Sequence, residues 1–185
     1  MTSTTYTFAS DSVYITNKTN LTSNSSSVTA DTAEGEYCVR IHLENLVWKV
    51  KRQMIDISVP EMDENVLPLV YIIDLGQAKQ MIQIKGKLFD TTSDSEDSVL
   101  TKEENLVRLA YQTSPGEGLT LVVPDRTNTT RHVFSENESD SLYPAFHINN
   151  LEISRESKSQ TNLQSGTRYS MRTVNLEGTV GDKQS

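Results

Sequence analysis

Met81-Ile82-Gln83-Ile84-Lys85-Gly86-Lys87-Leu88-Phe89 is the stretch on which the fold turns. Ile82, Ile84 and Leu88 recur at every second position with Gly86 on the same face, and Gln83, Lys85 and Lys87 fill the alternate positions. Side chains of a strand point to opposite faces in turn, so this period of two describes a strand with one buried and one wet face; a helix would need apolar positions three and four apart.

Working upstream, Leu67 to Leu75 is apolar and β-branched and reads as a strand stopping at Asp74-Leu75-Gly76. Met54 to Val59 alternates through Ile55, Ile57 and Val59, then meets Pro60 and the acidic run Glu61-Met62-Asp63-Glu64, which stop a strand. Before it, Val39, Ile41 and Leu43 share one face, and Leu46, Trp48 and Val50 continue on the opposite parity. One buried face survives this change only if an extra residue sits near Glu44-Asn45, so the sequence predicts a β-bulge there.

Downstream, Thr91 to Asp97 is an acidic, Ser/Thr-rich loop. It leads to the sole helix signal, near 101–112: Thr101 as N-cap with Glu104 three residues on, then Leu106, Leu109 and Ala110 on one face. Ser114-Pro115-Gly116 ends it. Strands follow at Leu119–Val123, around His132–Phe134, within Leu142–Ser154, and from Arg168 to about Val180 after a polar loop from Ser157 to Thr167. Phe146 and Ile148 lie on one parity and Leu151 and Ile153 on the other, which predicts a second bulge at Asn149-Asn150. Seven to nine strands, one helix and no βαβ alternation imply a mainly β fold, a curved antiparallel sandwich or barrel.

Residues 1–35 read differently. Thr, Ser and Asn dominate, with isolated apolar positions at Tyr6, Phe8, Val13, Tyr14 and Ile15, so the composition predicts a polar N-terminal arm ahead of a domain over 36–185. Ser12–Thr16 could then add as a strand to the sheet edge of another subunit.

The whole chain of 185 residues is 35% apolar with a mean hydropathy of -0.48, low for a globule that completes its burial alone. A formal charge of -8 and a pI near 4.9 argue against binding that works by neutralising nucleic-acid phosphates and disfavour anionic membranes. Cys38 is the single cysteine, which rules out an intrachain disulfide and a cysteine-based zinc site and suits a small core residue. No run approaches the roughly 18 apolar residues of a membrane-spanning helix, and the N-terminal residues do not resemble a secretion signal, so a soluble chain made without Sec cleavage is expected.

Candidate chemistry is sparse. His42, His132 and His147 fall on separate predicted strands without metal-ligand spacing. The acidic clusters at Glu61–Glu64, Asp94–Asp97 and Glu136–Asp140 contain no calcium-loop pattern and read as solvated loops. No nucleophile elbow, Walker loop or dinucleotide turn occurs, and the glycines fall at turns and in strands. Asn17, Asn20, Asn24, Asn128 and Asn137 each begin an Asn-x-Ser/Thr triplet, as Ser/Thr/Asn-rich segments readily produce by chance. The expectation is a non-enzyme with no catalytic, cofactor-binding or metal residues.

Several of these patterns together resemble a family. Ile73-Asp74-Leu75-Gly76, then Met81 to Leu88, a polar loop and a short helix at Asn105–Ala110 look like tail proteins of tailed phages and archaeal tailed viruses. The likeness continues through Gly118-Leu119-Thr120-Leu121, Phe146 to Glu156 and Tyr169 to Gly178, spanning roughly residues 68–180. It implies a tail-tube-like sandwich or barrel, used by tube subunits and by baseplate or tail-tip rings. Such a protein belongs to the virion tail and is made in the host cytoplasm. Its homo-oligomeric rings, commonly sixfold, join strands across subunit boundaries and meet adjacent tail or baseplate proteins. DNA passes through the lumen without specific binding. The resemblance also implies a long β-hairpin contacting the neighbouring ring, for which Val47–Leu69 is the candidate. The long arm and the 157–167 loop depart from a minimal tube subunit. The alternative is a non-catalytic carbohydrate-binding or adhesion-type β-sandwich, which needs an aromatic platform from a chain with 6% aromatics and one tryptophan, Trp48.

Overall fold

The computed structural model describes residues 3–18, 21–22, 24–58, 70–89, 98–111, 118–124, 131–135, 145–155, 160–161, 168–169 and 171–181. Among them the chain is mainly β with one α-helix. The elements in order are β1 (Ser3–Thr7), β2 (Ser12–Thr16), β3 (Ser27–Asp31), β4 (Cys38–Ser58), β5 (Val70–Phe89), α1 (Val99–Tyr111), β6 (Thr120–Pro124), β7 (Arg131–Phe134), β8 (Phe146–Arg155), β9 (Gln160–Thr161), β10 (Arg168–Tyr169) and β11 (Met171–Val180). Seven strands form one antiparallel sheet in the order β7-β6-β2-β4-β5-β11-β8; β1 pairs with β3 and β9 with β10. The arrangement is consistent with a β-sandwich. An antiparallel bridge between Leu119 and Phe146, with backbone hydrogen bonds of 2.8 and 2.9 Å, brings β8 beside the residue preceding β6 without closing the sheet into a barrel.

The decisive strand behaves as its alternation requires. Ile82, Ile84 and Leu88 are buried, and the register stacks their side of β5 against neighbours in layers: Ile84 lies between Leu46 and Leu176, with Leu151 beyond. Both predicted bulges are present. Leu43 pairs with Gly86 and Asn45 with Lys85, leaving Glu44 as the extra residue. Glu177 pairs with Asn150 and Gly178 with Ile148, leaving Asn149. Each keeps the apolar set on one face across the change of parity. The first also explains Gly86, since a Cβ there would collide with the His42 carbonyl and the Ile41 side chain.

The sequence-based boundaries shift where Gly and Pro suggested stops. β4 merges the two strands expected over 37–50 and 54–59, and β5 runs through Asp74-Leu75-Gly76 instead of ending there. Arg52 pairs with Ala78 and Met54 with Asp74, so three residues of β5 around Gly76 face one of β4. The glycine marks an irregularity inside a strand, not its end. The hairpin expected over Val47–Leu69 is therefore built from the longer β4 and β5, while its acidic run and Pro60 lie outside the described residues.

The N-terminal arm is corrected outright. β2 occupies the interior of the large sheet, paired with β4 on one side and β6 on the other, and all five of its residues are buried. Val13 and Ile15 join the main core with Val39, Ile41 and Leu121. Tyr14 faces the other way, into a second core with Tyr6, Phe8, Val28, Ala30, Cys38, Val122 and Val133, which includes residues of the paired strands β1 and β3. Composition alone predicts disorder because it counts apolar residues without regard to position; here each isolated apolar side chain falls on a buried site, worth about 1.5–3 kcal/mol apiece for the larger ones. The polar residues are used too. The Thr16 hydroxyl donates to the Tyr37 carbonyl at 2.7 Å, and Asn17 accepts from the Tyr37 amide and donates to the Gly35 carbonyl, both at 2.8 Å.

α1 starts earlier than the capping-box reading placed it. The Ser98 hydroxyl accepts from the Thr101 amide at 3.3 Å and so fills the N-cap role assigned to Thr101. Leu106 and Leu109 are fully buried, as expected, with Val99, Lys102 and Asn105 beside them; Ala110 is half-buried. Glu103 ties the helix to the sheet, accepting from Arg155 at 2.9 Å and Arg172 at 2.8 Å. Burial pushes the Glu103 carboxyl up, but the two arginines outweigh it and hold it below the ordinary glutamate value.

Candidate interaction surfaces

The residues with catalytic or metal-binding potential are dispersed. His42 lies on β4, His132 on β7 and His147 on β8. The His147 Nε2 meets the Gly181 carbonyl at 2.9 Å, and His132 packs against the Trp48 ring with centroids 5.8 Å apart. Among the described residues no group of three or more His, Cys, Asp and Glu is placed to hold a metal ion. Cys38 is buried in the second core. The three acidic clusters and the triplets at Asn20, Asn128 and Asn137 lie outside the described residues. Asn17 is bound up in the turn below β2, whereas Asn24 is exposed.

One cluster superficially matches a hydrolytic triad. Ser12 donates to Asp11 at 2.8 Å and lies 3.4 Å from His42 Nδ1; Asp11 is 3.9 Å from the same nitrogen. A nucleophile relay needs the hydroxyl on one ring nitrogen and the carboxylate on the other, with the hydroxyl open to substrate. Here both groups meet Nδ1, Ser12 is buried, and Arg40 donates to the Ser12 oxygen at 3.0 Å. The Ser12 hydrogen bond holds the Asp11 carboxyl below its ordinary range against the effect of burial, with Arg40 and His42 adding to it. The geometry suits a fastening between the residue before β2 and β4, which the Leu43 amide to Asp11 carbonyl bond of 2.9 Å reinforces.

The surfaces that remain are edges, a trough and a ribbon. β7 and β8 are the terminal strands of the large sheet. Between α1 and β8 lies a groove of about 420 Å³ lined by Val107, Ala110, Tyr111, Ile148, Leu151 and Ile153 among others, with Tyr111 85% exposed. A shallow trough of about 250 Å³ on the outer face is lined by amide groups, including Asn45, Gln83, Asn150 and Asn175.

The ribbon is the largest of these features. β2 pairs with β4 only over Cys38–His42, and β11 pairs with β5 only over Gln80–Phe89. Beyond those limits Lys51–Ser58 and Val70–Lys79 pair, among the described residues, only with each other, so the hairpin runs on as two strands past its described neighbours in the sheet. Its core-facing parity emerges into solvent as Trp48, Val50 and Met54, which are 39%, 59% and 51% exposed. The opposite face carries Lys49, Lys51, Lys79 and Lys85, all exposed, with Lys51 directly opposite Lys79. Sequence reasoning recognised Lys85 and Lys87 as outward but missed this row, because the register past Gly76 had to be known before Lys79 could be placed beside Lys51.

No family model matches the sequence, and none of the curated proteins matches it either.

Proposed function

We propose that the chain is a structural virion protein of a viral tail, a ring-forming tube or distal tail/baseplate subunit that assembles through its strand edges and hairpin around a DNA channel. The observation that carries the reading is the ribbon of β4 and β5, which runs past the sheet with exposed apolar residues on one face and lysines on the other. A two-stranded ribbon is marginally stable by itself, and a long unpaired edge is an aggregation hazard unless a partner covers it. The helix follows β5, in the order of strand, polar loop and short helix on which the tail-protein resemblance rests. A net charge of -8 suits a lumen along which DNA slides without adhering.

Negative-stain imaging and mass measurement of the purified chain test the proposal. Rings of uniform subunit number with a central opening are expected, sixfold symmetry being the first to look for. A strictly monomeric particle at high concentration overturns it, and glycan-array binding by that monomer would transfer the fold to the carbohydrate-binding reading.

A further inference from the structure

The lysine row on the outer face of the ribbon is anomalous in two respects. First, Lys51 and Lys79 are paired directly across the ladder. Opposed residues place their Cβ atoms roughly 5 Å apart, and like charges there are destabilising. Second, neither residue has an ion pair among the described residues, nor does Lys85. By contrast Lys87 is neutralised by Glu44 at 3.1 Å and Lys49 donates to Gln83 at 3.1 Å. A chain with an excess of eight negative charges thus gathers positive charge, without ion pairs among the described residues, along one face of the β4–β5 ladder.

We infer that this row, centred on Lys51 and Lys79 with Lys49 and Lys85 on the same face, is a docking surface for a second copy of the chain, approached through that copy's acidic segments. Charge complementarity selects the occupant. The sequence carries three dense acidic runs, at Glu61–Glu64, Asp94–Asp97 and Glu136–Asp140, in a chain whose overall charge is strongly negative. Copies repel through net charge, and a basic patch meeting an acidic one offsets that repulsion locally, which fixes orientation as well as contact. A row of one sign meeting a run of the other is also a heterologous contact, the type that propagates head to tail or closes a ring. The inference rests on the homo-oligomeric part of the proposed function and adds its electrostatic basis. Duplex DNA is the competing ligand for such a row, and the test includes it.

The experiment is sedimentation velocity on the full chain at about 0.05 M and about 0.5 M salt, where screening of exposed charges differs severalfold in range. Association is expected to weaken by about tenfold at the higher salt and by at least about tenfold in the double variant Lys51→Glu/Lys79→Glu. Circular dichroism and the thermal midpoint should remain those of the wild type, since both side chains are exposed. Reversing one acidic run supplies the complementary partner: Glu61→Lys/Asp63→Lys/Glu64→Lys, or the equivalent change in either other run. Mixing the double variant with these chains should restore complexes containing both species for at least one run. Salt-insensitive association, unchanged association of the double variant, or failure of all three mixtures overturns the inference while leaving ring formation intact. Retardation of duplex DNA by the wild type and not by the double variant also overturns it, assigning the row to nucleic acid. Absence of any self-association would instead sink the assembly reading itself.

Discussion

Along β4 and β5 one antiparallel ladder passes through two environments. From Cys38 to Val50 and from Gln80 to Phe89 it lies within the wide sheet and under the helix, and its core face holds Ile41, Ile82, Ile84 and Leu88 at 1% exposure or less. From Lys51 to Ser58 and from Val70 to Lys79 the backbone pairing continues with no third strand among the described residues, and Met54 there is more than half exposed. Hydrogen bonding is shared by both halves, so it cannot be what distinguishes them. Burial is. The first half buries Ile41, Ile82, Ile84 and Leu88 within the subunit; in the second, Met54 is the described apolar side chain, and it is exposed.

The sharpest way to probe the contrast is to truncate one apolar residue in each half. Ile84→Ala, in the layer with Leu46, Leu151 and Leu176, should cost about 2–5 kcal/mol in urea unfolding, because the cavity left behind adds to the lost transfer energy. A smaller effect is expected where the helix is fastened to the sheet. Glu103→Gln should cost about 2 kcal/mol at neutral pH by weakening the charge-assisted bonds to Arg155 and Arg172. Because the folded carboxyl titrates below its ordinary value of 4.5, its contribution is fully present above that value and is lost as pH falls through the lowered one. The variant and wild type should therefore converge in acid; a gap that persists undiminished there would show that packing, not charge, is responsible. Ser98→Ala should cost about 1 kcal/mol through loss of the N-cap, and Thr101→Ala less, which separates the observed cap from the one the sequence suggested. Least affected should be Met54→Ala on the ribbon, within about 0.5 kcal/mol for the isolated subunit, as for other exposed substitutions. A cost near that of Ile84→Ala would erase the distinction between the halves.

How far the sequence could be read depended on whether a signal was local. Parity is local: the switch from Leu43 to Leu46 and that from Ile148 to Leu151 placed both bulges before any register was known. Termination was less secure, since Gly76 reads equally as a turn or as an irregularity, and the choice depends on β4, across the hairpin. The N-terminal strands were hidden for a stronger reason. Val13 and Ile15 are buried only because Val39, Ile41 and Leu121 come to meet them, and nothing within residues 1–35 records that. The lysine row was invisible for the same cause, as was the Asp11–Ser12–Arg40–His42 cluster, whose members are adjacent only through the β2–β4 register.

The interior position of β2 also sets an order of events during synthesis. Tyr14 pairs with Val122 and Ile15 with Leu121, so β2 leaves the ribosome long before the strand that must lie beside it. At about 5–20 residues per second that interval lasts on the order of 5–20 s. Until β6 emerges, Val13, Tyr14 and Ile15 can dock on β4 along one edge only, leaving the other edge of β2 open. The sheet can therefore be completed only late in translation, and the nascent chain spends that time with its most apolar early segment half paired, in the state that a chaperone would be expected to hold.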